Sequence, residues 1–272
     1  MKKIYLNTEL TNEEYHAMDG ISSSMIGDYM KSPFQYWYKY VGKRMPEELG
    51  DNPAFAIGTV THALVLEPDL FDEQFIIAPK IDKRTKVGKE KWAEFEEQAK
   101  GKTLVKKEHY DMAVMMRDAV NRNPIAVDLL KRGEFEKSFF FEGLKVRTDH
   151  IIVDDLIKKV LITDLKTAQT IEPKRFQWAV QDLYLTRAGF YAYVVSQFYP
   201  DYDIDFGYIA VDKNEPSSCT VFMISQEDLT WAISNAKRVV ELIEQDTKEY
   251  GSKPWIDTTP QVLTLELNIN KV

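Results

Sequence analysis

The sequence of 272 residues contains a single cysteine, Cys219, so no disulfide can form within the chain. A lone free thiol is typical of a reducing compartment, and we therefore expect a cytoplasmic protein. The sequence also lacks any apolar run of the length that spans a bilayer, which predicts no membrane segment. A hydrophobic share of 44% and a charged share of 29% are those of a folded soluble protein.

Several ligand-binding motifs are missing as well. There is no glycine-rich phosphate loop of the P-loop or Rossmann kind, and no cluster of cysteine and histidine suited to zinc. We find no internal repeat and no flexible linker, which favours one domain over residues 1–272. Within it we expect a largely helical N-terminal part over residues 1–110 and a sheet core over residues 111–272.

Positive charge is scarce, with 35 lysines and arginines against 43 acidic residues and a formal net charge of −8. This balance argues against broad, nonspecific coating of nucleic acid. It still permits a nuclease whose basic residues are concentrated in one groove. Carboxylates that hold a metal add to the negative count without repelling DNA once the cation is bound.

The strongest chemical pattern lies in two segments rich in β-branched residues, one containing Asp149 and the other Asp164. Polar residues between them predict a hairpin that brings the two acids together. Lys166 lies two positions after Asp164, so the two side chains point to the same face of a strand. Converging carboxylates of this kind suit Mg²⁺ or Mn²⁺, and a metal-bound water can attack a phosphate. Lys166 would then orient that water or stabilise negative charge.

The Asp-x-Lys pattern is common, and an exposed charge pair on a strand is the competing interpretation. Asp246-Thr247-Lys248 repeats the pattern in a predicted surface helix. His62 presents a similar choice, because it is the one strongly polar side chain in the middle of an apolar helix predicted over residues 54–67. It is either a hydrogen-bonded core histidine or a metal ligand beside the acids.

Three further patterns bear on DNA binding. The most basic window of the chain, residues 80–91, is either a solvated loop or a contact with the DNA backbone, through Lys83, Arg84, Lys86 and Lys89. The aromatic residues at 34–40 either stack on bases or pack against the core. A long helix predicted from about Pro173 to Tyr199 carries a polar stripe of Gln177, Gln181 and Tyr184, which faces either the acids or solvent.

Taken in order, these motifs resemble a known family. The matching stretches are Gly58-x-x-x-His62, Leu66-Glu67-Pro68, Lys83-Arg84-Thr85 with Gly88-Lys89, Arg147-x-Asp149, Asp164-x-Lys166-Thr167 and Val180-Gln181-Asp182. The order and spacing resemble the catalytic domain of RecE (exonuclease VIII) and its phage relatives, in the PD-(D/E)xK nuclease superfamily, from Gly20 to about Tyr199. The resemblance implies a restriction-endonuclease-like α/β (α+β) core, with a central mixed sheet flanked by helices.

The resemblance also implies roles for individual residues. His62, Asp149, Asp164 and the backbone carbonyl of Leu165 would bind metal, Mg²⁺ or alternatively Mn²⁺. Lys166 would act on the attacking water. In addition, Gln181 would support the site from the following helix, and Arg147 would contact a phosphate.

The activity that the resemblance implies is a 5′-to-3′ exonuclease on linear double-stranded DNA that leaves 3′ single-stranded tails for recombination in a bacterial host cell. It further implies a RecT-like single-strand annealing protein as partner and a homo-oligomeric ring, a tetramer or a trimer. Two alternatives stay open at this point. One is an endonuclease or a RecB-type repair nuclease on the same fold, and the other is a catalytically inactive DNA-binding protein.

Overall fold

Six strands form one central sheet in the order β1-β4-β5-β6-β7-β8. The structure, a computed structural model, describes residues 2–44 and 53–255, and residues 53–55 without their side chains. The strands of the central sheet are β1 (Lys2–Tyr5), β4 (Glu134–Phe141), β5 (Leu144–Asp154), β6 (Lys159–Ala168), β7 (Asp203–Asp212) and β8 (Cys219–Met223). Only β6 and β7 run parallel, and the other neighbours in this sheet are antiparallel. Two short parallel strands, β2 (Phe75–Ile77) and β3 (Thr103–Val105), form a separate small sheet.

Helices cover both faces of the central sheet. The α-helices that the structure describes are α1 (Asn12–Ala17), α2 (Ser23–Lys31), α3 (Pro33–Tyr36), α4 (Pro53–Leu66), α5 (Phe71–Gln74), α6 (Lys86–Gln98), α7 (Lys107–Arg122), α8 (Pro124–Leu130), α9 (Pro173–Ala179), α10 (Leu185–Ser196) and α11 (Gln226–Tyr250). One core joins α2, α10 and α11 to the sheet through residues such as Ile26, Phe190 and Ile162. A second core joins α4, α7 and α8 to the opposite face through Leu165 and Ile209. The predicted mixed sheet flanked by helices is thereby confirmed.

The antiparallel pair of β5 and β6 is the predicted hairpin. Its ladder runs from Asp154 opposite Lys159 to His150 opposite Thr163. Asp154 closes the turn, because its carboxylate accepts hydrogen bonds from the N–H groups of Leu156 and Ile157. The turn fixes the register, and the register decides which side chains meet at the far end of the hairpin.

The N-terminal part is not purely helical, because β1 pairs with β4 at one edge of the central sheet. The helical part and the sheet core that the sequence predicts therefore share one sheet. Among the described residues, no helix combines the length and the hydrophobicity needed to cross a bilayer.

Candidate metal centre

The end of the β5–β6 hairpin brings the two predicted acids together. The ladder ends with His150 opposite Thr163, so Asp149 and Asp164 are the next facing positions. The Asp149 carboxylate does not point away from the sheet, since its Oδ2 accepts a hydrogen bond of 2.8 Å from the backbone N–H of Leu165. A side chain thus takes the place of a ladder bond at this point. The carbonyl of Leu165 also faces β5, because the N–H and the C=O of a strand residue point to the same neighbouring strand.

An irregularity in β5 explains how Asp149 reaches this position. Val146 and Ile151 both pack in the core that contains α2 and α10, although they are five residues apart. A regular strand would put them on opposite faces, because side chains alternate with a period of two. The alternation therefore shifts by one residue between them, and Asp149 lies within that interval.

Helix α4 brings His62 to the acids. Its Nδ1 lies 3.5 Å from Asp149 Oδ2, and its side chain is 30% exposed, so it is not a fully buried core residue. The helix is fixed against the sheet by Ile57 and Leu66, which pack in one cluster with Leu165. At Gly58 the helix lies directly on β6, because a Cβ there would be in ordinary contact with the hydroxyl of Thr167 at 3.6 Å.

Glu136 completes the cluster, and our sequence analysis missed it. One ligand atom from each of His62, Glu136 and Asp149 lies within 4.8 Å of the others, and all three residues are half-buried. Glu136 lies in β4 opposite Asp149, between the pairs Phe135–His150 and Lys137–Thr148. Its φ of 49° is in the left-handed region, which is uncommon for a non-glycine residue within a strand. The register of β4 on β5 is the feature that would have revealed it.

The carboxylates of the cluster repel one another. Burial and the nearby Asp164 raise the pKa of Asp149, although His62, Lys166 and the N–H of Leu165 act in the opposite direction. Burial, Asp149 and Glu67 raise the pKa of Glu136 well above its ordinary value. A cation placed among these groups would relieve the repulsion.

The residues present fit a divalent cation. Asp164 is only 8% exposed, and its Oδ2, beyond the contact with Lys166, has no hydrogen-bond donor among the residues that the structure describes. The Lys166 ammonium already contacts this oxygen, and the carboxylate has further lone pairs that a metal ion can occupy. Carboxylate oxygens with one imidazole form a donor set that divalent metals accept.

Lys166 lies beside this centre as a cation. Its Nζ is 2.5 Å from Asp164 Oδ2 and 5.7 Å from the centre of the Tyr184 ring. Burial lowers the pKa of Lys166, but the carboxylates of Asp164 and Asp149 outweigh it and leave the pKa above the usual value. A raised pKa keeps Lys166 protonated at neutral pH, and an ammonium in this position can stabilise negative charge.

The structure separates two members of the predicted polar stripe. A π-helical turn over Val180–Tyr184 interrupts the long helix between α9 and α10. The extra residue in such a turn rotates everything after it, so the spacing of i, i+4 and i+7 no longer marks one face. Tyr184 contacts Lys166, whereas Gln181 is exposed.

Arg147 is buried, with 8% of its surface exposed. Its Nε donates to Ser138 Oγ at 2.8 Å, and its Nη2 donates to the carbonyls of Leu10 and Thr11. The guanidinium thus ties the N-terminal segment to β4 and β5. This placement does not favour the phosphate contact that the family resemblance implies.

The basic window forms the exposed start of α6, with Thr85 as N-cap. Arg84 is paired with Asp82 through two hydrogen bonds, and the ammonium of Lys83 lies over the ring of Trp92. Lys86 and Lys89 are exposed. All four predicted DNA contacts are therefore accessible on one surface segment.

The aromatic run divides between the two interpretations that the sequence left open. Tyr36 and Trp37 are buried in the core. Phe34 and Tyr38 are exposed, and the Phe34 ring stacks on that of Trp37.

Comparisons with known proteins agree with this geometry. No curated protein sequence matches the chain. Among solved structures, the chain is similar to a crystal structure at 2.19 Å of a protein from Eubacterium rectale named "Putative exonuclease". The two share 15% identity over 96% of each chain, with a TM-score of 0.62, which shows a common fold. The model of a family described as a PDDEXK-like domain of unknown function (DUF3799) matches residues 22–254. The chain therefore belongs to this PDDEXK-like family and is a PD-(D/E)xK nuclease-like protein.

Proposed function

We propose that the protein is a Mg²⁺-dependent 5′-to-3′ exodeoxyribonuclease that degrades one strand of linear double-stranded DNA. The observation that carries this proposal is the convergence of His62, Glu136 and Asp149 next to the buried pair of Asp164 and Lys166. Four potential ligands and one permanent cation in a half-buried position are the groups that phosphodiester hydrolysis requires.

In this proposal each residue has a defined task. The cation would be held by the side chains of His62, Glu136, Asp149 and Asp164. The carbonyl of Leu165 faces β5, the strand that carries Asp149. The cation, when bound, supplies a water of lowered pKa and neutralises charge on the phosphate. Lys166 orients the attacking water and stabilises negative charge on the phosphate, because its ammonium remains protonated beside Asp164. Asp149 is held in place by the N–H of Leu165.

The biological setting follows from the family resemblance. We propose that digestion leaves 3′ single-stranded tails, that a RecT-like annealing protein coats them, and that recombination follows in the cytoplasm of a bacterial host. A homo-oligomeric ring, a tetramer or a trimer, would keep the enzyme on its substrate. Size-exclusion chromatography with light scattering measures the oligomeric state directly.

The activity is tested on duplexes of several hundred base pairs labelled at either the 5′ or the 3′ end. We expect release of the 5′ label first, no release with a chelator, and restoration by Mg²⁺. Mn²⁺ serves as an alternative cation in a parallel reaction. Covalently closed plasmid should remain intact.

Other outcomes of this assay identify the alternatives. Cleavage of closed plasmid indicates an endonuclease, and release of both labels at equal rates indicates a repair nuclease of RecB type. Binding of duplex without metal-dependent hydrolysis indicates a catalytically inactive DNA-binding protein. Any of these three results contradicts the proposed exonuclease.

A further inference from the structure

Arg187 lies near the candidate metal centre, since its charge acts on Lys166. It lies on α10, is half-buried, and has no hydrogen bond or ion pair with any residue that the structure describes. A guanidinium carries five N–H donors, and a half-buried polar group without partners needs an explanation. Arginines of similarly restricted exposure in this chain are paired, since Arg117 bonds to Asp118 and Arg147 to Ser138.

The surroundings of Arg187 position its stem but do not neutralise its charge. A Cβ at Gly27 of α2 would lie 3.3 Å from the Cδ of Arg187, so the absent side chain makes room for the stem. The neighbouring Asp28 is not available, because its carboxylate accepts from Lys39, Tyr40 and Lys31. The side chain is thus held between α2 and α10 while its donors remain open.

Arg187 lies on the same side of the centre as Lys166. It follows Tyr184 by three residues, and the ring of Tyr184 lies next to the Lys166 ammonium. The positive charge of Arg187 acts to lower the pKa of Lys166 and of the Tyr208 phenol, although other groups keep both pKa values above their usual values. Lys166 is paired with Asp164, whereas Arg187 has no carboxylate partner among the residues that the structure describes, so Arg187 is suited to an anion from outside the protein.

We propose that Arg187 binds a phosphate group of the cleaved DNA strand beside Lys166. This inference rests on the proposed nuclease function and adds a substrate-binding residue to it. Arginine matches the geometry of a phosphate, because its planar fork donates two parallel hydrogen bonds. The phosphate is either the one being hydrolysed or the one at the 5′ end of the strand, and the chemistry of recognition is the same.

The test compares Arg187→Met, which keeps an unbranched apolar stem, with Arg187→Lys and with a matched control, Arg238→Met. Arg238 is exposed on α11, where it bonds to Asn235. Two quantities are measured for each protein. One is the dissociation constant for a short duplex, by fluorescence anisotropy in chelator over a range of salt. The other is kcat/KM for linear duplex in Mg²⁺.

We expect Arg187→Met to weaken duplex binding and to lower kcat/KM by about tenfold to a hundredfold, the range for a charge-assisted hydrogen bond. The slope of the logarithm of the dissociation constant against the logarithm of the salt concentration should decrease by about one. Arg187→Lys should recover part of the loss, since lysine keeps the charge without the fork. The melting temperature of Arg187→Met should not fall, because none of the residues that the structure describes loses a hydrogen bond or an ion pair. A structural role would lower it.

Duplexes with 5′-phosphate and 5′-hydroxyl ends show which of the two phosphates Arg187 binds. A loss confined to phosphorylated ends assigns the contact to the terminal phosphate, and an equal loss on both assigns it to the phosphate at the metal centre. If Arg187→Met binds and cleaves like Arg238→Met, the inference is overturned. A parent protein that cleaves no DNA contradicts the proposed function instead, and the binding comparison still decides the role of Arg187.

Discussion

Glu136 allows the most quantitative test of the candidate metal centre. Its carboxylate lies within 4.8 Å of ligand atoms of Asp149 and His62. Without a bound cation, the charge of Glu136 opposes that of Asp149 and so destabilises the fold. Replacement by glutamine keeps the shape of the side chain and removes the charge. We therefore expect Glu136→Gln to be more stable than the parent protein in chelator.

The magnitude follows from Coulomb's law. Two unit charges about 4.8 Å apart repel by roughly 1 kcal/mol in water and by about 3.5 kcal/mol at an effective dielectric constant of about 20. The cluster is half-buried, so the free energy of unfolding of Glu136→Gln should exceed that of the parent by about 1–3 kcal/mol at pH 8.

The pH dependence has a definite sign. The pKa of Glu136 is raised by burial, by Asp149 and by Glu67, so the folded protein retains a proton that the unfolded chain has released. This contribution to stability is fully present below the ordinary glutamate value of 4.5 and is lost as pH rises through the higher pKa of the folded state. The advantage of Glu136→Gln should therefore grow as pH rises from 4.5 through the pKa of the folded state, and should stay constant above it.

Urea unfolding in chelator measures the effect of the Glu136 charge on stability, and unfolding in Mg²⁺ measures the stabilisation by the cation. The parent should gain stability with Mg²⁺, and Glu136→Gln should gain much less because one ligand is missing. Glu241→Gln, on the exposed surface of α11, is the matched control. It should change the free energy of unfolding by no more than about 0.5 kcal/mol, in chelator or in Mg²⁺. The reasoning is refuted if Glu136→Gln is less stable than the parent in chelator or responds equally to Mg²⁺.

Three further predictions concern the proposed activity. Lys166→Met should lower kcat by at least about a hundredfold between pH 7 and 9, because the lost ammonium stabilises developing charge. Initial rates on linear duplex measure this change, and a rate within threefold of the parent contradicts the prediction. His62→Ala should raise the Mg²⁺ concentration for half-maximal activity by about tenfold or more, whereas His109→Ala on α7 should match the parent in the same titration. Replacing Lys83 and Lys89 by glutamine should weaken duplex binding and decrease the salt slope by about two, as fluorescence anisotropy would show; an unchanged slope removes the basic window from the DNA-binding surface.

The sequence was sufficient for the parts of the site that depend on local pattern. Asp164 and Lys166 share a face because strand side chains alternate, and the short polar turn predicts that Asp149 meets Asp164. His62 stood out as a polar residue in an apolar helix. The structure brings these residues together, with His62 3.5 Å from Asp149.

Other features depend on register and on irregular backbone, which local patterns do not encode. Glu136 joins the cluster only because β4 pairs with β5 in one particular register and because its φ is positive. The π-helical turn at Val180–Tyr184 shifts the helical phase. Tyr184 therefore contacts Lys166, whereas Gln181 is exposed. Arg147, which the resemblance assigns to a phosphate, is instead occupied by Ser138 and two backbone carbonyls.

The most direct test of the central claim is the rate at which Asp164→Ala digests linear duplex in Mg²⁺, relative to the parent protein. Asp164 is the buried acid between the candidate metal and Lys166, and its removal deprives both of a partner. We predict that the parent digests the duplex and that Asp164→Ala shows at most about one hundredth of that rate. Digestion by Asp164→Ala at the parental rate would contradict a metal centre built on these carboxylates.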